Sequence, residues 1–477
     1  MGRGDRRHGR GAVGRWFPFL LVLAILAGAA AAYRYDLGAR WLGTGEPDPA
    51  TEPAAVEPPS GLELPALTRP ADVATPVPAA GALAPAKVRR AVGPFLRDRD
   101  LGRSVHVVVA GMQGPPALSV GAGPAMPAST TKLLTAAAAL DVLGPGHEFE
   151  TTVVQDGPGR VVLVGGGDPF LERRPVQDWP RRADVATLAR QTAAALDRRG
   201  RGSVRVAYDD SLFSGPAVNP SWPQDYVPDA VVSPITALWV DEGVDPSGFG
   251  RVADPSADAA AEFVRALERA GIRVVGTPVP HRSQSRDRVL ARVTSAPVGQ
   301  IVESVLELSD NEGAEVLARH VGLAVSGKGS SAAGSDAILS TLRGLGVGTA
   351  GAVLYDGSGL SRKNRIDPDT LIDVLRAAAG EDHPDLRAVV TGLPVAGFTG
   401  SLAFRFVDAP VPGRGRVRAK TGTLTGVSAL AGVATDLDGV PMVFALVADR
   451  VRLLDTLDAR EALDDMAAAL GACHCAS

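Results

Sequence analysis

The chain is 477 residues long, 45% hydrophobic and carries a formal net charge of −4, enough apolar material for a large core spread over two or three domains. The charge is small for this length and no basic run is concentrated past the extreme N-terminus, so nucleic-acid binding has no electrostatic support. The basic residues are lopsided, with 44 arginines against five lysines. A surviving lysine marks a position where an amine is needed, because burial and nearby charge can push lysine toward neutrality while arginine stays protonated.

In chain order, Arg3, Arg6, Arg7, Arg10 and Arg15 come first, and "WFPFLLVLAILAGAAAAY" then runs from Trp16 to Tyr33 without a charge. This is an export segment, 1–33, that serves either as a cleaved signal peptide or as a membrane anchor. The small-residue tail suits a signal peptidase, whereas the length of the run and the arginines ahead of it favour the anchor, with the N-terminus held in the cytoplasm. No cysteine lies near it, which argues against a lipoprotein. Residues 34–85 are rich in Pro, Ala and Glu without sustained periodicity and read as a semi-extended linker.

From 86 the chain becomes periodic. "RSVHVVVAGM" predicts a strand, a turn and short strand follow, and "STTKLLTAAAALDVLG" (129–144) predicts a helix closed by Gly144, with Ser129 at its N-terminus. Strands at "FETTVVQ", "GRVVLVGGGDP" and "SVRVAYD" alternate with helices at "ADVATLARQTAAALDRRG" and "DAAAEFVRALERAGI", an α/β region over 148–290. Residues 297–325 are helical in period but interrupted at Ser309-Asp310-Asn311. Near the end, strands flank an Asp438-Gly439 turn, a strong hairpin signal that puts Lys420 at or beside an antiparallel strand, and a helix over 453–470 closes the chain. Cys473 and Cys475, the two cysteines, are close enough in sequence to pair after export, although one intervening residue makes a tight loop. Cys-His-Cys at a chain end is a weak metal signal, and no metal or cofactor is expected.

Three short strings stand out in order: Ser129-Thr130-Thr131-Lys132, Ser309-Asp310-Asn311 and Lys420-Thr421-Gly422-Thr423. Each alone has a plain reading as a helix cap, a turn and a charged edge strand. Together they use two of five lysines and one of three asparagines, and they match the Ser-x-x-Lys, Ser-x-Asn and Lys-Thr-Gly set of penicillin-binding proteins and serine β-lactamases. The spacing has a chemical reason. Residues three apart share a helix face, so Lys132 can place an amine beside the Ser129 hydroxyl as base to nucleophile. A second cation, Lys420, would help keep Lys132 neutral, Ser309 could relay a proton to a leaving amine, and Asn311 offers a donor and an acceptor to an amide.

Beyond these strings, "LVGGGDPFL" (163–171), "SDNEGAEVLAR" (309–319), "YDGSGLSRKNRI" (355–366) and "GRVRAKTGTLTGVSALAG" (415–432), with the long gap between Ser129 and Ser309, resemble the D-alanyl-D-alanine carboxypeptidase/endopeptidase family of class C low-molecular-mass penicillin-binding proteins, peptidase family S13. The resemblance covers roughly 86–475. It implies an α/β (α+β) transpeptidase-like fold of the penicillin-binding protein/serine β-lactamase type, an antiparallel sheet flanked by helices. Its first part would be 86–147 and its second 291–477, split by the region 148–290. It also implies Ser129 as the acylated nucleophile, Lys132 as base, Ser309 and Asn311 as proton relay and substrate binder, and Lys420, Thr421, Gly422 and Thr423 at the substrate carboxylate. The Ser129 and Thr423 amides would form the oxyanion hole. The implied partners are peptidoglycan stem peptides as substrate and β-lactams as covalent inhibitors; the N-terminal segment, outside the resemblance, adds the membrane as a partner and an extracytoplasmic body that is membrane-anchored or secreted to the cell wall. The alternatives are a serine β-lactamase, which the long insertion argues against, and a non-catalytic cell-wall binding protein, which would not need the base Lys132.

Overall fold

The computed structural model describes residues 81–477, residue 408 excepted; the export segment and most of the linker lie outside them. Among the described residues, no helix is long and apolar enough to cross a membrane.

The first sheet joins the two ends of this unit. Strands β1 (Val105–Gly111) and β2 (Pro116–Val120) precede a long excursion that includes a second sheet. Strands β9 (Val417–Leu424), β10 (Val427–Thr435) and β11 (Pro441–Ala448) complete the first sheet in the order β2-β1-β11-β10-β9, antiparallel throughout. Its strands alternate between two cores. Val108 and Ala110 face one, with Ala431, Val443 and Ala445, while Val107 and Val109 face the other, with Leu430, Phe444 and Leu446. Burial on both faces explains why β1, β10 and β11 read as nearly unbroken apolar runs.

The helices α1 (Pro85–Val92), α2 (Thr131–Leu143), α3 (Val185–Asp197), α4 (Pro255–Arg269), α5 (Val298–Leu308), α6 (Asn311–Ser326), α7 (Ser331–Gly344), α8 (Pro368–Ala379), α9 (Arg387–Thr391) and α10 (Thr456–Gly471) follow in chain order. α1 and α10 cover one face of the first sheet, and α2, α5, α6, α7 and α8 the other. α2 is buried all round from Thr131 to Leu140, and its run of alanines lets other helices approach closely.

The second sheet comprises β3 (Glu150–Gln155), β4 (Arg160–Val164), β5 (Ser203–Asp209), β6 (Arg273–Val274), β7 (Val279–Pro280) and β8 (Arg288–Thr294). Its order is β6-β5-β4-β3-β8, with β7 also on β5, and β4 and β5 run parallel. α3 and α4 cover one of its faces through Val185, Leu188, Phe263 and Leu267. The sheet runs past the expected boundary at 290, because β8 pairs with β3 as far as Glu150↔Thr294. The chain enters and leaves at one place: Val298 donates to the His147 carbonyl at 2.8 Å, and Phe149 and Ser295 bond each other. Between β5 and α4 the chain is mostly irregular, with its own small core of Phe213, Trp222, Val232, Ile235 and Trp239 set against Val316 of α6 and Leu360. At the C-terminus Cys473 and Cys475 are disulfide-bonded.

Candidate active site

α2 presents the first motif. Ala128–Thr130 form one turn of tighter helix that runs into α2, so Ser129 stands at its N-terminal end as expected. The hydroxyls of Thr130 and Thr131 donate back to the carbonyls of Pro127 and Ala128 and lock this turn. Ala128 holds φ +47°, an unfavourable left-handed conformation for a residue with a Cβ. The space around it explains how it is held. A Cβ on Gly422 would lie 2.8 Å from the Pro127 carbonyl, and one on Gly359 would overlap the Ala128 carbonyl, so two glycines let β9 and the loop at 356–361 close on this turn.

Lys132, wholly buried, is the hub. Its Nζ donates to Ser129 Oγ at 2.9 Å, to Asn311 Oδ1 at 2.8 Å and to the Ser358 carbonyl at 2.9 Å. Asn311 opens α6 after a break in which Ser309 takes φ +61° at the end of α5 and Asp310 caps α6 by accepting from Gly313. The other end of the Asn311 amide donates to the Val231 carbonyl in the second region at 3.0 Å, which sets its orientation. Burial lowers the Lys132 pKa to about 8, while Asp310, Asp356, Glu315 and Glu312 pull it upward. Lys420 was expected to keep Lys132 neutral; burial is the main cause instead. The repulsion falls on Lys420, itself wholly buried and pushed well below its usual value by burial and then by Lys132 and Arg405.

Lys420 lies on β9, the outer strand of the first sheet, and donates to the Thr421 carbonyl at 3.0 Å. The Thr421 hydroxyl bonds Ser401 Oγ at 3.1 Å. Ala419 donates off the sheet to the Pro394 carbonyl, so by alternation the N–H groups of Thr421 and Thr423 point to the same open side. The structure therefore links Ser129, Lys132 and Asn311 by hydrogen bonds, brings Lys420 within electrostatic reach and packs Gly422 on the Ser129 turn. The Ser309 hydroxyl has no hydrogen-bond partner among the described residues.

Sequence reasoning missed how the third acceptor of Lys132 is held. Asp356, wholly buried, accepts from Trp222 Nε1, Asn364 Nδ2 and the backbone of Gly359 and Ser361. Glu315 accepts from Gly357 and Ser358. The signal was present in "YDGSGLSRKN", where an aspartate, two glycines and one of only three asparagines stand together. Behind Asn311, the carboxylates of Glu242, Asp310 and Glu312 cluster. Burial and Asp310 push Glu312 up to about 7, and Arg251 pairs with it at 2.9 Å.

The comparisons agree on one family. The model of the D-Ala-D-Ala carboxypeptidase 3 (S13) family matches residues 91–247 and 247–470. A carboxypeptidase of Mycobacterium tuberculosis is 37% identical over 365 residues, 74% of this chain and 76% of its own length. The carboxypeptidase DacB of Mycolicibacterium smegmatis is 35% identical over 467 residues, 95% of each chain. The crystal structure of penicillin binding protein 4 from Haemophilus influenzae is similar in fold, with a TM-score of 0.66 at 22% identity over 78% of this chain and 98% of that one.

Proposed function

Because the chain belongs to the D-Ala-D-Ala carboxypeptidase 3 (S13) family, we propose that it is a serine-type DD-peptidase acting on the D-alanyl-D-alanine end of peptidoglycan stem peptides through an acyl-enzyme on Ser129. One observation carries the assignment of nucleophile and base. The Asn311 Oδ1 and Ser358 carbonyl oxygens around Lys132 Nζ can only accept, so a neutral amine spends its two N–H groups on them. The lone pair is then left for the third neighbour, the Ser129 hydroxyl at 2.9 Å.

In the proposed reaction Ser129 Oγ attacks the carbonyl of the penultimate D-alanine and its proton passes to Lys132 Nζ. The Ser129 and Thr423 amides receive the oxyanion, aided by the N-terminal end of α2. The C–N bond breaks, the proton taken up by Lys132 passes through the Ser309 hydroxyl to the leaving amine, and D-alanine departs. Water then hydrolyses the ester. The same chemistry on an amine that belongs to a crossbridge would be endopeptidase activity. Lys420, Thr421 and Thr423 meet the terminal carboxylate, whose negative charge favours the ammonium form of Lys420. A β-lactam presents a comparable carboxylate and amide, but its leaving nitrogen stays tethered after the ring opens. The H. influenzae protein of similar fold has also been solved in complex with a β-lactam.

The export segment supports an extracytoplasmic body, either held to the membrane by residues 1–33 or secreted to the cell wall after their cleavage, and the Cys473–Cys475 disulfide fits an oxidising compartment. Recovery of the full-length protein in the cytoplasmic soluble fraction would refute this placement.

The deciding experiment is intact-protein mass spectrometry after incubation with benzylpenicillin. One persistent penicilloyl adduct is expected on the wild type and none on Ser129→Ala. Rapid turnover without an adduct would favour a β-lactamase, and neither adduct nor turnover would return a non-catalytic cell-wall binding protein to first place.

A further inference from the structure

Lys132 is held by one acceptor that the motifs do not supply, the Ser358 carbonyl, and that carbonyl sits in a loop that glycine makes mobile by nature. What fixes it comes from α6. Glu315, on the turn after Asn311, is 1% exposed, and one of its carboxylate oxygens, Oε1, accepts both from Gly357 N at 2.9 Å and from Ser358 N at 2.8 Å. Thr135, one turn along α2 from Lys132, donates to the Gly357 carbonyl at 2.7 Å. The loop is thereby clamped between the helix that carries the base and the helix that carries Asn311. There is no room for it to shift toward α6, because a Cβ on Gly357 would lie 2.5 Å from the Ala318 side chain.

We propose that Glu315 is a positioning residue for the acylation of Ser129: its carboxylate fixes the 357–358 backbone so that the Ser358 carbonyl takes one N–H of Lys132 and directs the lone pair of the amine at the serine. The inference rests on the DD-peptidase reading above and adds a residue that touches neither substrate nor nucleophile. A buried carboxylate here also acts through its field. The charged groups facing Lys132 are Asp310, Glu312 and Glu315 from α6 and its cap, Asp356 from the loop, and Lys420 from β9. Those facing Glu315 are Lys132, Asp356 and Arg319. Glu315 is pushed up to about 7 by burial and by Asp356, so it is ionised at the higher pH where Lys132 loses its proton, and there it holds the Lys132 pKa up. Removing its charge lowers that pKa and moves the acid limb of acylation to lower pH.

The test uses the exported body and measures the second-order rate of benzylpenicillin acylation from pH 6 to 10, with thermal melting as a control, for the wild type, Glu315→Gln and Glu315→Ala. Glutamine keeps an acceptor for both N–H groups without the charge. It is expected to acylate within a few-fold of wild type at high pH, with the acid limb displaced downward by up to about one unit. Alanine frees the loop and is expected to lose about 10²-fold at every pH, the usual consequence of misplacing a reacting group by about 1 Å. The proposal is overturned if Glu315→Ala acylates like the wild type, or if Glu315→Gln is as slow as the alanine variant or leaves the limb unmoved. Should the alanine variant fail to fold, the limb of the glutamine variant decides alone. A wild type that takes no adduct brings down the DD-peptidase reading and this inference together, whereas an adduct on the wild type with unaltered variants brings down only this one.

Discussion

Lys132 and Lys420 carry the same side chain and are both wholly buried, yet the structure gives them opposite surroundings. Four carboxylates face Lys132 and partly offset its desolvation, so it remains near 8; Lys420 faces Lys132 and Arg405 and falls well below its usual value. The first is poised to exchange a proton close to neutral pH, and the second is left short of a negative charge that a substrate carboxylate would supply. The sign for the reaction follows directly. In the proposed reaction Lys132 works only when deprotonated, so acylation by benzylpenicillin should rise with pH through a limb near pH 8 and level off above it. Lys132→Arg removes the titration altogether, because guanidinium does not give up its proton, and should slow acylation by at least about 10²-fold with no limb in this range. A wild-type profile flat from pH 6 to 10 would contradict the assignment of Lys132 as base.

At the scale of elements, caps and turns separate what supports the site from what performs its chemistry. α3 in the second region begins at Asp184, whose carboxylate accepts from the Thr187 backbone at 2.6 Å and from its hydroxyl at 2.7 Å. Asp184→Ala should cost about 1 kcal/mol of stability, seen as a lower melting temperature, and leave acylation unchanged. A parallel fall in acylation rate would mean that this helix bears on the site more directly than its packing suggests. Elements were unevenly legible. The α2 helix, the break at Ser309-Asp310-Asn311 and the strands around Asp438-Gly439 were readable because caps, apolar runs and turn residues coincide there. α7 and α8 were not assigned, although Ser330 and Asp367 cap them; Ala, Gly and Ser weaken the helical period of α7, whereas α8 carried a readable signal in the cap Asp367, Pro368 in its first turn and the apolar residues Leu371, Ile372, Val374 and Leu375. The Asp438-Gly439 hairpin was visible, but not that the buried Asp436 carboxylate holds it by accepting from Asp438, Val440 and Cys475.

For the described unit as a whole, the α/β region between Phe149 and Ala296 braces the start of α6 and the 355–361 loop, the two segments that supply acceptors to Lys132. It sends the Val231 carbonyl to Asn311, the Ser233 N–H to Glu312, Trp222 to Asp356 and Asn219 to Ser331 and the Tyr355 carbonyl. Arg319 of α6, 2% exposed, reaches back to the carbonyls of Ser214 and Pro216. Removing the region would strand these buried groups without partners, each at a cost of about 1–3 kcal/mol. Replacing 148–296 by a short Gly-Ser link is geometrically easy, since His147 and Val298 already touch, yet the product should give no soluble protein that benzylpenicillin can acylate. A soluble, acylatable product would show the region to be an independent appendage.

The sequence by itself determined the reaction class, because Ser-x-x-Lys, Ser-x-Asn and Lys-Thr-Gly in order are local patterns whose chemistry is written in residue type and spacing. It placed alternating strands and helices over 148–290, whereas the sheet they form runs on through β8 to Thr294. Only the tertiary structure decided how Lys132 is tuned and aimed. The Ser358 carbonyl, Glu315, Asp356 and the closeness of Gly359 and Gly422 to Ala128 are contacts between segments far apart in the chain. Burial, the largest influence on both lysines, is a property of the packed body that no local pattern contains.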